Sequence, residues 1–481
     1  MRAFLSTCAY LAAATCWALG ADTPPKESPM RGYYLIPCRV QTWDLQQWKE
    51  SLDCFAADGA NTIVFWMAGG FRSVRYPETW QYNADHLNVR QDFVRELIDY
   101  AHQRGIKVLL GLSPFAYDGV NQYPLTHPET RGKKADGTPI AVGGIFSFGP
   151  SLCPAVEESQ RFMADYAIEM SDDFYPNADG MFIESSDYGR CQCSRCKEHY
   201  YEDEFRFVRS ISDHLWKRRP DATIVVYPHY FVKGKLSSQL VQGRGGGMEF
   251  DPRWSLFFTP HSADPNAQEN RELMAKARHC LMWDTAPIWG GPAQIRAGSQ
   301  AARRLGADYF PTLEGYAYRG TRPEYDGEQF IVGRQLKPFG LEWLPDGKHC
   351  YNDPLVRLNR LAYREFSKNP DLNDDAFRQT VLRELFGPGA GPRCVEDLLS
   401  LVKMVLADRQ NSFFFASPLV IPQRIEAKAK AEKWPENRIA EYRRKVEDLR
   451  AMAARHSNAT DPMERELHHI AAFIVRQWDS K

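Results

Sequence analysis

Short apolar runs alternate with amphipathic stretches along the first two thirds of the chain. Tyr33–Pro37 reads as a strand, and Trp43–Asp58 carries apolar residues at helical spacing up to Gly59. Asn61–Met67 (NTIVFWM) is a second strand, Val89–Arg104 a helix closed by Gly105, and Ile106–Leu112 (IKVLLGL) a third strand. Strands this continuously apolar, joined by helices, predict a parallel sheet covered on both faces. A long loop over 113–153, rich in Gly, Pro and Tyr, follows the third strand, and loops of that length inside compact domains usually carry function.

The alternation continues through a helix at Ala155–Phe174 and a fourth strand at Met181–Ile183. A helix at Phe205–Arg218 then leads to strand five, Thr223–Tyr227. The Gly-rich stretch Gly243–Gly247 lacks the Lys-Ser/Thr of a phosphate loop and reads as a linker. Strand six is Trp254–Thr259, strand seven Cys280–Trp283 and strand eight Tyr309–Leu313, with helices at Asn270–Arg278 and Ile295–Leu305 between them. Eight such units predict a (β/α)8 TIM barrel over 33–350. An open doubly wound sheet is the alternative, but no Gly-rich dinucleotide fingerprint follows the first strand. From 351 to 481 the pattern is helical throughout, at 354–368, 373–386, 394–409, 421–456 and 461–478, which predicts an all-helical C-terminal domain.

Composition narrows the function. A net charge of −1 gives no electrostatic reason to expect a nucleic acid or an anionic membrane as partner. The 12 Trp and 22 Tyr, many near strand ends, are the ring platforms that carbohydrate clefts use. Residues 1–21 carry Arg2, an apolar core and small residues at Ala18–Ala21, the pattern of a secretory signal peptide, and 22–32 form a polar lead-in. The expected location is therefore secreted or periplasmic, with no membrane contact after cleavage. Nine scattered cysteines would remain, too few for a disulfide scaffold in a chain of this size.

The stretch with the most chemistry is 176–199, PNADGMFIESSDYGRCQCSRCKEH. A buried apolar run changes at once into Glu184, Ser185, Ser186 and Asp187. Unpaired carboxylates sit poorly in a core but belong at the C-terminal mouth of a parallel barrel. Polar groups end most of the other strands as well: Arg39 after strand one, His229 after five, His261 after six, Asp284 after seven and Glu314 after eight, with Trp66 on strand two. Carboxylates converging from strands four, seven and eight satisfy the demand of glycoside hydrolysis for one proton donor and one nucleophile or base. Glu184 is then the expected general acid and Glu314 or Asp284 its partner. Arg39, Asp187, His229, His261, Trp66, Trp283, Trp289 and Tyr316 would bind the sugar. Arg319 and Arg322 could form salt bridges or hold an acidic sugar. A non-catalytic carbohydrate-binding barrel, or a metal-dependent hydrolase built on His229, His261 and Asp284, are the competing readings.

Catalysis of this kind needs no cofactor. Cys191, Cys193, Cys196 and His199 lie within nine residues and could supply a structural zinc site, with Cys153 as the alternative fourth ligand if the long loop folds back. A disulfide with a free thiol is the other reading.

The run DGMFIESSDYGRCQCSRC resembles the fourth-strand segment of glycoside-hydrolase barrels in bacterial exported proteins, which end that strand with an acid and often follow it with C-x-C-x-x-C. The layout is similar to family-20 β-N-acetylhexosaminidases and family-67 α-glucuronidases. Hexosaminidases carry an adjacent Asp-Glu pair at this point, whereas here Ile183 precedes Glu184. The α-glucuronidase pattern, one acid after strand four and two later carboxylates, is matched by position by Glu184, Asp284 and Glu314.

Overall fold

The computed structural model describes residues 28–35, 43–82, 84, 87–117, 119–140, 151–185, 190–227, 249–258, 268–283, 291–311, 343–344, 350–406, 419, 429 and 433–480. Eight strands form one parallel sheet in sequence order: β1 (Gly32–Leu35), β2 (Thr62–Trp66), β3 (Lys107–Leu112), β4 (Gly180–Glu184), β5 (Thr223–Tyr227), β6 (Trp254–Phe258), β7 (Cys280–Met282) and β8 (Asp308–Tyr309). β2, β4, β5 and β6 are buried along their whole length, because side chains of one parity fill the barrel and those of the other meet the helices.

The helices follow the strands. α1 (Leu45–Ala57) lies between β1 and β2, α2 (Val94–His102) before β3, α3 (Glu157–Ile168) before β4 and α4 (Cys196–Arg218) before β5. α5 (Gln268–Lys276) precedes β7 and α6 (Pro292–Arg304) precedes β8. α1 starts at a reciprocal cap, in which Asp44 accepts from Gln47 N–H at 2.8 Å and Gln47 Oε1 accepts from Asp44 N–H at 3.1 Å. The helix expected over Val89–Arg104 is broken: Leu87–Gln91 and α2 are separate, with Asp92 between them at φ 49°. The fourth helix begins at Cys196, not at Phe205, so the last cysteine opens it.

The seam between β8 and β1 is narrow, since β8 has only two residues. Tyr34 N–H donates to Pro311 O across it at 3.3 Å. The rest of the closure comes from α7 (Pro354–Lys368), the first C-terminal helix. Its Tyr363 hydroxyl accepts from Gly32 N–H at 3.0 Å and donates to Tyr309 O at 2.9 Å, with Gly32 O at 3.2 Å. One buried hydroxyl therefore serves both edge strands. Tyr363→Phe is expected to leave Gly32 N–H without its acceptor and to lower stability by about 2 kcal/mol, measured as a shift in the urea midpoint. An unchanged midpoint would show that the seam does not need this bond.

α8 (Asp374–Leu385), α9 (Pro392–Leu406), α10 (Glu436–Arg455) and α11 (Pro462–Asp479) complete the C-terminal part. Its apolar residues belong to the same buried cluster as the barrel, from Met30 to Val475, so these helices brace the barrel directly. A polar knot ties three of them. His456, just after α10, meets Asp397 of α9 at 3.0 Å and Glu464 of α11 at 2.9 Å, while Arg455 grips Asp397 at 2.8 Å. Among the described residues no helix is long and apolar enough to cross a membrane. The expected signal segment 1–21 and the Gly-rich linker lie outside the described residues.

Candidate active site

Glu184 is the last residue of β4 and 9% exposed. It shares strand parity with Phe182, and both meet Tyr34 of β1, so the carboxyl group points into the barrel at its C-terminal end. Tyr34 Oη donates to Glu184 Oε2 at 3.1 Å, which orients the carboxyl group.

A continuous set of aromatic rings surrounds this point. Trp66 ends β2 and lies edge-on to Tyr34, centroids 6.0 Å apart. Tyr117, in the loop after β3, lies edge-on to Trp66 at 6.3 Å. Phe182 meets Phe257 of β6 at 4.8 Å, and Phe257 meets Trp283 at 6.0 Å. Trp283 in turn lies edge-on to Tyr227, the residue at the end of β5 that pairs in register with Glu184. The Trp283 indole nitrogen is buried with no hydrogen-bond partner among the described residues.

The loop after β3 holds its ring in place at a conformational cost. Phe115 (φ 61°) and Tyr117 (φ 63°) both stand in the left-handed region, which costs a side-chain-bearing residue about 1–3 kcal/mol. Packing sustains it: Phe115 lies edge-on to Phe207 of α4 at 5.7 Å, and its carbonyl accepts from Leu152 N–H at 2.8 Å. Glu169, buried at the start of the π-helical segment that continues α3, holds the segment after β2 by accepting from Ser73 Oγ at 2.5 Å and Val74 N–H at 2.8 Å.

A second carboxyl group stands behind the first. Glu204 of α4 is fully buried and accepts a hydrogen bond from the hydroxyl of Ser185, the neighbour of Glu184. Burial pushes Glu204 up to about 7 from its ordinary 4.5, with the Ser185 bond opposing part of the rise. In the fold this group holds its proton at pH values where the unfolded chain has released it. The fold therefore loses stability as pH rises through 4.5 towards 7, and the loss is complete above that. Glu204→Gln, which keeps the acceptor for Ser185, is expected to gain about 2 kcal/mol on the parent between pH 5 and pH 8. Urea midpoints of both proteins at the two pH values measure this, and a gap that does not change with pH would show Glu204 to be ionised in the fold.

Of the residues expected from the sequence, Glu184, Trp66 and Trp283 are brought together by these contacts. Arg39, Asp187, His229, His261, Asp284, Trp289, Glu314, Tyr316, Arg319 and Arg322 lie outside the described residues. Tyr34, Tyr117 and Tyr227 join the site unannounced. Tyr34 and Tyr227 could have been found by asking which aromatic residues fall at strand ends.

The cysteine segment forms a separate centre. Cys153, Cys191, Cys193 and Cys196 place their sulfurs within 4.8 Å of one another. The expected fourth partner, His199, is not among them. Because α4 starts at Cys196, His199 falls in its first turn, half exposed, where Nδ1 meets Glu202 one turn further on at 2.6 Å. Cys153 takes its place, carried in at the end of the long loop. Among the described residues Cys394, His456 and Glu464 also cluster, but both ring nitrogens of His456 are already engaged by Asp397 and Glu464.

No protein-family model matches the chain, and no curated protein matches it significantly. Solved structures do. A GH138 enzyme targeting pectin rhamnogalacturonan II aligns with a TM-score of 0.55 at 12% identity, over 92% of this chain and 56% of its own. Flavobacterium johnsoniae chitobiase aligns with a TM-score of 0.46 at 12% identity, over 93% of this chain and 70% of its own. A β-N-acetylhexosaminidase aligns at 0.48 and 15% identity, over 75% and 78%. The chain thus shares the parallel (β/α)8 barrel fold of the GH138 enzyme and spans little more than half of that enzyme's length.

Proposed function

We propose that the protein is an exported glycoside hydrolase that cleaves O-glycosidic bonds of an oligo- or polysaccharide. The observation that carries this reading is Glu184: a carboxyl group at the C-terminal end of β4, held by the Tyr34 hydroxyl, whose ring packs on Trp66, and paired in register with Tyr227. Aromatic faces bind the apolar faces of sugars, and a carboxyl group fixed among them is placed to protonate a glycosidic oxygen.

In this reading Glu184 gives its proton to the leaving oxygen as the bond to the anomeric carbon breaks. Asp284 or Glu314, two carboxylates later in the chain, acts as nucleophile or as base on water. Trp66 and Trp283 are platforms, and Trp289, Tyr316, Arg39, Asp187, His229 and His261 complete the sugar contacts. The barrel of the GH138 enzyme supports the reading at the level of fold.

The test is hydrolysis by the purified full chain of a panel that includes aryl glycosides, β-N-acetylglucosaminides, glucuronides and pectic rhamnogalacturonan fragments. Turnover of one class is expected. Binding of a sugar without turnover across the panel would replace this reading with that of a non-catalytic carbohydrate-binding barrel.

A further inference from the structure

We propose that Cys153, Cys191, Cys193 and Cys196 bind one zinc ion as four thiolates, and that the ion staples the loop after β3 to the segment after β4. Cys153 Sγ lies 3.5 Å from Cys196 Sγ and 3.7 Å from Cys193 Sγ. A tetrahedral zinc with Zn–S bonds of about 2.3 Å sets its sulfurs about 3.8 Å apart. A disulfide would require about 2.05 Å. These two spacings match the edges of a zinc tetrahedron, and all four sulfurs lie within 4.8 Å of one another.

The backbone around them is arranged for negative charge. Lys133 N–H points at Cys191 Sγ at 3.3 Å, and Cys196 N–H at Cys193 Sγ at 3.5 Å. Amides donating to sulfur stabilise thiolates and orient metal ligands. The second of these bonds is a product of the Cys193-x-x-Cys196 turn, which leads straight into α4. Cys191 and Cys196 have no exposed surface and Cys153 is 4% exposed. With Tyr200 they form a buried cluster separate from the main core. Four protein ligands, three of them on buried residues, describe a closed, structural shell.

The cluster joins distant parts of the chain. Cys153 sits just before α3 and Cys196 opens α4, the two helices that flank β4 in sequence. The same junction carries hydrogen bonds from Cys153 N–H to Thr130 O at 2.7 Å and from Gln192 N–H to Lys133 O at 2.6 Å. The ion would thus clamp the outer end of the strand that presents Glu184. Binding converts four thiols and Zn²⁺ into a tetrathiolate complex of charge −2 and releases four protons, with no change of oxidation state.

The proposal is independent of the proposed activity, and its test reads no turnover. The full chain, purified from zinc-supplemented cells without chelator or reductant, is expected to hold about one zinc ion, measured by elemental analysis. The Cys153→Ser and Cys191→Ser variants should each lose it, whereas His199→Ala should keep it in full. Should the serine variants not fold, the unaltered chain loaded with cobalt provides a second readout: a thiolate-to-metal charge-transfer band with the visible bands of a tetrahedral sulfur site. Zinc retained by Cys153→Ser, or lost in His199→Ala, overturns the ligand set. Absence of metal from a chain whose denatured mass shows the loss of four hydrogens overturns the site in favour of two disulfides.

Discussion

Replacing Glu184 with Gln is expected to lower kcat about 10³-fold on the natural substrate, in the range of lost general-acid catalysis, while leaving the urea midpoint near that of the parent. The amide oxygen of Gln still accepts from Tyr34 Oη, now at 3.1 Å from the carboxylate, so the side chain keeps its orientation. It has no proton to deliver. The loss should therefore depend on the leaving group. An aryl glycoside whose phenol departs without protonation should lose far less than an alkyl glycoside or an oligosaccharide. A purely structural role for Glu184 would depress all substrates alike. Turnover unchanged on every substrate would remove Glu184 from the reaction.

Gly180→Ala is expected to destabilise the chain by more than about 4 kcal/mol, which for most domains means no soluble folded protein. A Cβ at this position would stand 1.8 Å from Thr223 O and 2.6 Å from Thr223 C. Both are backbone atoms of β5, and neither can rotate away. Gly180 also pairs with Leu109 of β3, so β4 is held from both sides and cannot shift to make room. Any movement would be passed along four residues to Glu184. Soluble yield, far-ultraviolet circular dichroism and urea unfolding measure the effect. Gly389→Ala is the control, since nothing lies within 4 Å of its Cβ, and it should stay within about 0.5 kcal/mol of the parent. A Gly180→Ala chain that folds with a parental midpoint would mean that the β4–β5 pairing is looser than described.

The strand cores were the most legible feature of the sequence. IVFW, VLLGL and TIVVY are buried on both faces, so their apolar character is continuous and needs no partner to be recognised. Strand eight was less legible, because Tyr309–Leu313 looks like its fellows but among the described residues the strand is Asp308–Tyr309, with Phe310 N–H adding one bond to Met282 O at 2.9 Å. The break at Asp92 left no mark on the apolar spacing from Val89 to Arg104. The buried carboxylates were hidden for a different reason. Glu169 reads as an ordinary charged position on the helix expected at Ala155–Phe174, and Glu204 falls just before the one expected at Phe205–Arg218; only their burial against Ser73 and Ser185 distinguishes them. His199 stands apart from the thiols and meets Glu202 instead, because proximity in sequence stands for proximity in space only while the chain follows one known conformation.

By itself, the sequence determined the eight-stranded parallel barrel, the helical C-terminal part and the carboxyl group that ends β4. Each follows from local periodicity and from the cost of burying an unpaired charge, which a single segment expresses without reference to the others. Only the tertiary structure decided that Tyr34 orients Glu184, that Tyr363 closes the barrel and that Cys153 is the fourth thiol. These pairs are separated by 150, 54 to 331 and about 40 residues. Contacts at such distances depend on how whole helices and strands pack, and no local pattern in the chain records them.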